Sequence, residues 1–449
     1  MTSQSSAISA SAGVHGAASE FQVTEGYRRY VVWLLFAVYV LNFVDRQILT
    51  ILIQPIKLEF GFSDTQLGLL GGLAFALLYS ILGIPIARRA DRTERVTIIS
   101  LALLVWSGAT ALTGLARTFT QLLLARLAVG VGEAGCSPPA YSLIADYFPP
   151  ERRATAISIY SMGIYAGVFV GLVVGGEVAQ SYGWRAAFYV VGLPGILLAL
   201  VVKLTLREPP RGLSDPQALP VQMPPFREVL TGLWARQSFR HLSLAAALHS
   251  FVGYGVAGFY PTFMIRCHGM GVAEVGRWMA LVTAIGGVVG TYWGGHLADG
   301  RARRSGDERQ QVWVPALATL LSVPVSLLIY VVADKYAALA LMFPAGVLGA
   351  MYLGPTFAVT LRLASVRERA LAGAILLLIM NLIGLGLGPL LTGAASDLAR
   401  GHFTQHGVAL ERATAEGLRW ALALMTFVNV WSAWHYLRAA RTLRADLVR

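Results

Sequence analysis

YVVWLLFAVYVLNFVDRQILTILI, residues 30–53, is the stretch whose reading decides the fold. It is long and apolar enough to cross a ~30 Å hydrocarbon core as a helix. Yet LNFVDRQIL, at 41–49, places Asn42, Asp45 and Arg46 inside it. Similar apolar runs recur along the 449 residues, of which 56% are hydrophobic and 13% charged. A soluble chain would carry about a quarter charged residues. Strands of a membrane barrel would be ~10 residues long with strict alternation, and this sequence does not alternate. The expectation is an all-α membrane protein with twelve transmembrane helices in two six-helix halves.

The domain limits follow from composition. Residues 1–28, rich in Ser, Ala and Gly, read as a disordered tail, and 29–206 as the first half. Residues 207–238 read as a linker, 239–437 as the second half and 438–449 as a tail. Within the linker, FREVLTGLWARQSFRHL reads either as a short surface helix or as the ragged start of the seventh span. The net charge of +12 is concentrated between spans, in ARRADRTER (87–95), PERR (150–153), RARR (301–304), RLASVRER (362–369) and from Arg438 onward. Every second connection is basic, which is the positive-inside pattern. It places both termini in the cytoplasm and the chain in the inner membrane, and it removes the reason to expect a nucleic-acid partner.

Several chemistries are excluded on motif grounds. The lone thiols Cys136 and Cys267 offer neither a disulfide framework nor a zinc site. There is no phosphate-binding G-x-x-x-x-G-K-[ST], no H-E-x-x-H, no Cys/His metal cluster and no nucleophile elbow. GVGEAG, 130–135, matches the dinucleotide fingerprint but lies in an apolar span without the strand that the motif needs; its glycines suit close packing around a special side chain. We expect no enzyme, no metal and no cofactor.

Small residues repeat. Gly68, Gly72 and Ala76 fall four apart in the second span. Gly163, Gly167, Gly171 and Gly175 do so in the fifth, Gly286, Gly290 and Gly294 in the eighth, and Gly384 and Gly388 in the eleventh. Such ladders allow close helix approach, and their period of three spans marks a nested structural repeat. It points to these four helices as those that slide across the interface between halves.

Four ionisable residues lie in the first half's spans: Asp45 and Arg46 in the first, Arg126 and Glu133 in the fourth. An ionised side chain at the bilayer centre costs at least ~2.5–3.5 kcal/mol, so they must pair or line a wet cavity. Arg126 and Glu133 are seven apart, two turns of one face and about 10 Å along the axis. Asp45 and Arg46 diverge by about 100°, with Asn42 a turn below both. If the two spans share a cavity, Arg46 would meet Glu133 while Asp45 faces the opening. Either Asp45 and Glu133 exchange protons as arginines move, or the four form a static network. Arg46 and Arg126 suit an anionic substrate group or these acids equally. In the second half Phe251, Tyr254, Phe259, Tyr260, Tyr352 and Phe357 offer material for an apolar groove, although span aromatics more often serve packing. His249 reads as a packed histidine, and Asn381 could hydrogen-bond across helices.

The chain resembles the major facilitator superfamily over nearly its whole length. GHLADGRARR is close to that family's loop pattern after the eighth span, and ARRADRTER, with Ala87 and Glu94 where glycines are usual, is a weaker copy after the second. The resemblance implies a cytoplasmic latch at Asp91, Arg92 and Arg95, with Asp299, Arg303 and Arg304, engaged when the protein is open outward. LNFVDRQIL, SDTQLGLLGGLAFALLYS, RLAVGVGEAGCSPPAYSLIADYF and GWRAAFYVVGLPGIL are similar to the Spinster branch. That similarity implies a lysolipid carrier (lysophospholipid or sphingosine-1-phosphate), driven by a proton gradient. Its partners would be substrate, protons and membrane lipid, and carriers of this fold usually work as monomers. The alternatives are a proton-linked carrier of small organic anions or drugs, a lipid sensor that does not transport, and a scramblase-like channel.

Overall fold

The computed structural model describes residues 23–90, 92–214, 225–365 and 367–447, the side chain of Ile84 excepted. It is helical, and among the described residues ten helices are long and apolar enough to span a membrane. The fourth and twelfth expected spans are each two shorter helices in succession. Phe119–Glu133 and Ser137–Tyr147 make the fourth, and Leu410–Thr426 and Val428–Leu447 the twelfth. The interruption of the fourth has a local cause: Pro138 and Pro139 lack the N–H groups that would bond the Ala134 and Gly135 carbonyls in a continuous helix.

Helical limits differ from the expected ones. Thr24 caps the first span, its hydroxyl accepting from the Tyr27 N–H at 3.2 Å, so residues 25–28 are helix rather than tail. The last helix likewise runs to Leu447. The linker carries its own helix, Phe226–Ala235, with Val229 and Leu233 buried against the seventh and eleventh spans. An amphipathic helix is therefore the correct reading of FREVLTGLWA, and Gln237 begins the seventh span.

The two halves meet through the fifth span (Pro150–Tyr182) on the eighth (Val272–Ser305), and the second (Asp64–Ala90) on the eleventh (Arg369–Gln405). The glycine ladders, however, are mostly turned inward within a half. A Cβ on Gly167 would lie 2.5 Å from the Val40 carbonyl of the first span. One on Gly290 would lie 2.2 Å from Val347 O in the tenth, and one on Gly388 2.5 Å from Phe251 O in the seventh. Only the ladder of the second span crosses, with Gly68 against Pro389 O and Gly72 against Gly386 O. The fifth and eighth spans touch instead through Gly176 and Gly276. The four helices singled out by the ladders are thus those through which the halves meet, but the bare faces are mostly filled from within a half: four-residue spacing specifies a bare face, not the neighbour that fills it.

Hydrogen bonds between the halves, among the described residues, lie midway along the spans or at the end away from the termini. Midway, Tyr165 meets the Thr291 hydroxyl at 3.0 Å. At this distal end Arg266 donates to both oxygens of Asp64, at 2.8 Å each. Lys57 and the Ser396 hydroxyl also bind that carboxylate. Asp397 accepts from the backbone N–H groups of Asp64 and Thr65 and from the Thr65 hydroxyl, capping the second span from the other half. Gly393 lets the chains touch: its Cβ would sit 2.1 Å from Asp64 O.

Candidate functional site

Between the halves lies a cavity of about 390 Å³, in the size range of small-molecule sites. Its first-half wall carries Arg46, Gln47, Thr50, Phe75 and Arg126, and its second-half wall is mostly apolar and aromatic. Three features of the local sequence build the charged side. The Gly130 Cα lies against the Phe75 carbonyl, where a Cβ would come within 2.8 Å; Gly132 and Gly135 give the third span the same access at Trp106 and Ala102. The glycines of GVGEAG therefore draw the second and third spans in around Glu133, and no nucleotide fold is involved. Glu133 ends the first segment of the broken fourth span.

Arg46 and Glu133 come together as expected. The Arg46 Nε donates to Glu133 Oε2 at 2.7 Å, and the acid's side chain is wholly buried. The guanidinium is enclosed by Phe43, Phe75 and Tyr79, with ring centroids 4.8–5.0 Å from its carbon, a weakly hydrated cation held by π faces. Arg126 lies over Phe75 at 5.4 Å and its Nε reaches the Leu70 carbonyl at 3.4 Å. Among the described residues it forms no ion pair, but it sits within electrostatic reach of Asp45 and Glu133. Asn42 stands beside Glu133 without a full hydrogen bond.

Asp45 departs from expectation. It does not face the cavity: it is 2% exposed and turns toward Thr110 of the third span, with Oδ1 unbonded. The 100° step between neighbours predicts that Asp45 and Arg46 diverge, and Arg46 is the one that takes the cavity side.

In the second half Tyr254, Phe259 and Tyr260 reach the cavity wall. Tyr352 stands behind it, its hydroxyl 3.0 Å from Ser250 and its ring 4.2 Å from that of His249. Phe251 packs on Gly388, Phe357 joins a separate cluster, and Asn381 opens a π-helical turn, Asn381–Leu387. His249 is packed as expected, between the Gly349 carbonyl at 2.8 Å and the Thr319 hydroxyl at 3.1 Å, yet it also lines the cavity.

The expected latch is not engaged between the halves. Asp91 lies outside the described residues. Arg92, Arg303 and Arg304 are exposed, and Asp299 accepts from Gln311 at 3.1 Å within its own half. Arg95 is fully buried and ties Asp146, the Ser142 carbonyl, Glu208 and the Pro209 carbonyl. It clamps the third and fourth spans to the chain just past the sixth and does not bridge the two halves. The distal network of Asp64, Arg266 and Asp397 was not foreseen, because charges at span ends are ordinary.

Residues 35–389 match the family model described as Major Facilitator Superfamily. An "MFS-type efflux pump" of Mycolicibacterium smegmatis is 34% identical over 369 residues, 82% of this chain and 84% of the relative. "Protein spinster homolog 1" of Homo sapiens is 27% identical over 94% of this chain and 83% of its own. Two crystal structures of a bacterial homolog of the human lysosomal transporter Spinster, both inward-facing, superpose with TM-scores of 0.86 (occupied) and 0.88 (unoccupied). Each is 37% identical and covers 94% of this chain and 99% of its own. With two helical halves around a central cavity and similarity of this extent, the chain belongs to the Major Facilitator Superfamily, on its Spinster branch.

Proposed function

We propose that this membrane transporter is a proton-coupled carrier of an amphiphilic lysolipid, working by alternating access in the inner membrane with both termini cytoplasmic. The observation that carries the reading is the Arg46–Glu133 pair on the wall of an otherwise mainly apolar cavity. An anionic headgroup entering beside Arg46 and Arg126 competes with Glu133 for the guanidinium. The released carboxylate is then a buried charge without a partner, which is costly, and binding a proton relieves that cost. Asp45, which has no cationic partner within ion-pair distance among the described residues, is a second site for the same exchange. The acyl chain runs along Tyr254, Phe259 and the aliphatic wall. Closure at the distal end leaves loading and release to the cytoplasmic side in this conformation, where the unengaged latch arginines lie.

The test is proton flux in sealed vesicles holding the purified protein and a trapped pH dye, with lysophospholipid or sphingosine-1-phosphate added outside. The expected result is substrate-dependent flux that Asp45→Asn or Glu133→Gln abolishes while lipid binding persists. Lipid movement with a silent dye overturns the coupling. The efflux-pump relative favours a second reading, a proton-linked carrier of small organic anions or drugs. Displacement of bound lipid by tail-less headgroup analogues at equal affinity would decide for it.

A further inference from the structure

The second-half wall of the cavity carries no Asp, Glu, Lys or Arg among the described residues, in contrast to the two arginines opposite. It does carry an ordered chain of hydrogen bonds whose directions can be assigned. The Gly349 carbonyl only accepts, so the His249 Nε2 holds the proton, and Nδ1 accepts from the Thr319 hydroxyl. Both ring nitrogens are used. Ser322 donates its hydroxyl hydrogen to the Thr319 carbonyl at 2.7 Å, so its oxygen can only accept from Asn429. The Asn429 amide therefore presents Nδ2 to Ser322 at 3.3 Å, because the flipped amide would set two acceptors face to face. Its Oδ1 is left buried and unbonded, on a residue 5% exposed that lines the cavity. His249 stands beside it without a full hydrogen bond, its Nε2 proton taken by the Gly349 carbonyl.

We infer that Asn429 Oδ1 is the acceptor of a second, uncharged recognition subsite, and that the cargo carries a neutral hydrogen-bond donor, a hydroxyl or an amide N–H, in addition to its anionic group. A buried acceptor without a partner is destabilising, and a ligand donor satisfies it. An ammonium group fits less well, since the wall offers no carboxylate to balance it. The cavity thus sorts cargo by two groups at once: an anion at Arg46 and Arg126, and a hydroxyl or amide across from them. The inference rests on the carrier reading but not on a lipid tail. An anion with a neighbouring hydroxyl occurs both in lysophospholipids and in hydroxylated organic acids.

The experiment measures equilibrium binding to the full-length purified protein of three probes. They are 1-acyl-glycerol-3-phosphate, its analogue lacking the free hydroxyl (1-acyl-propanediol-3-phosphate), and D-glucuronate. Wild type is expected to prefer the hydroxyl-bearing lipid over the deoxy lipid by about 5- to 10-fold, the scale of one buried hydrogen bond. Asn429→Leu is expected to bind both lipids equally, at the wild-type level for the deoxy lipid, which also reports that the variant is folded. Ser322→Ala, which frees the amide to flip, is expected to shrink the preference. No preference in wild type, or a full preference in Asn429→Leu, overturns the inference. If glucuronate alone binds, with the same dependence on Asn429, the subsite stands and the lysolipid reading falls. If no probe binds, the inference is overturned.

Discussion

The distal end and the end bearing the termini satisfy their charges in opposite ways. At the distal end Asp64 of the first half is held by Arg266 and Ser396 of the second, and Asp397 caps a helix in the other half. At the terminal end each ion pair described closes within one half: Arg95 with Asp146 and Glu208, Asp307 with Arg309 and Arg444, and Glu308 with Arg362. The first arrangement makes a conformational change cost electrostatic energy at one end only. The second lets the helices of a half move together, because no bond to the other half has to break.

The largest effect is expected from Arg266→Ala. Removing one partner of a buried ion pair costs ~3–5 kcal/mol, and Arg266 is the main cross-half partner of Asp64. Thermal unfolding should show a lowered midpoint. Spin labels at Tyr182→Cys and Leu410→Cys, in a background without Cys136 and Cys267, should report a wider distal separation. Adding Asp64→Asn should not recover the midpoint, because Lys57 pairs the same carboxylate at 2.6 Å and would lose its partner; an unchanged separation in Arg266→Ala would show that the network does not hold the distal end shut.

Arg95→Ala sharpens the contrast. Its partners Asp146 and Glu208 are partly solvated, at 13% and 25% exposure, so the loss should be smaller, ~1.5–3 kcal/mol for hydrogen bonds to a charged group. The unfolding midpoint should fall while the distal separation stays that of wild type. A shift in separation would mean that Arg95 acts across the halves after all.

The smallest effect concerns Asp307. Hydrogen bonds from Arg309 hold its carboxyl down at about 2, below the usual Asp value of ~3.9. A depressed folded value makes the contribution fully present above the unfolded value and lost as pH falls through the folded one. The midpoint gap between wild type and Asp307→Asn should therefore be constant from neutral pH down to pH 5 and close progressively below pH 4. A gap that widens in acid would contradict the pairing.

What could be read beforehand tracks how unusual each residue is in its setting. Asp45, Arg46, Arg126 and Glu133 stood out because a charge inside an apolar run is costly wherever it points. Heptad spacing put Arg126 and Glu133 on one face, but it could not say that Asp45 would turn to Thr110 and Arg46 to the cavity. The glycine ladders announced the internal repeat, yet Gly167 meets Val40 and Gly290 meets Val347 for reasons of three-dimensional neighbourhood alone. Asp64 and Asp397 gave no signal: each lies near a span end, where carboxylates are normal, and 333 positions separate them. Asn429 and Ser322 were equally silent, since small polar side chains are common in membrane helices and their meaning comes from the direction of one hydrogen bond.

The π-helical turn at Asn381–Leu387 sets the phase of the eleventh span. A π turn carries one residue more than an α turn, so everything beyond it is rotated by about 100° relative to an uninterrupted helix. Within the turn Gly384 meets the seventh helix and Gly386 meets Gly72 of the second. After it, Gly388 still packs on Phe251 of the seventh, while Pro389, Gly393, Ser396 and Asp397 face the second. Deleting one residue between 381 and 387 would restore plain α winding and turn all four away from Asp64 without altering any of them. The angular setting of the distal contact is thus stored about two turns away from it, in one surplus residue.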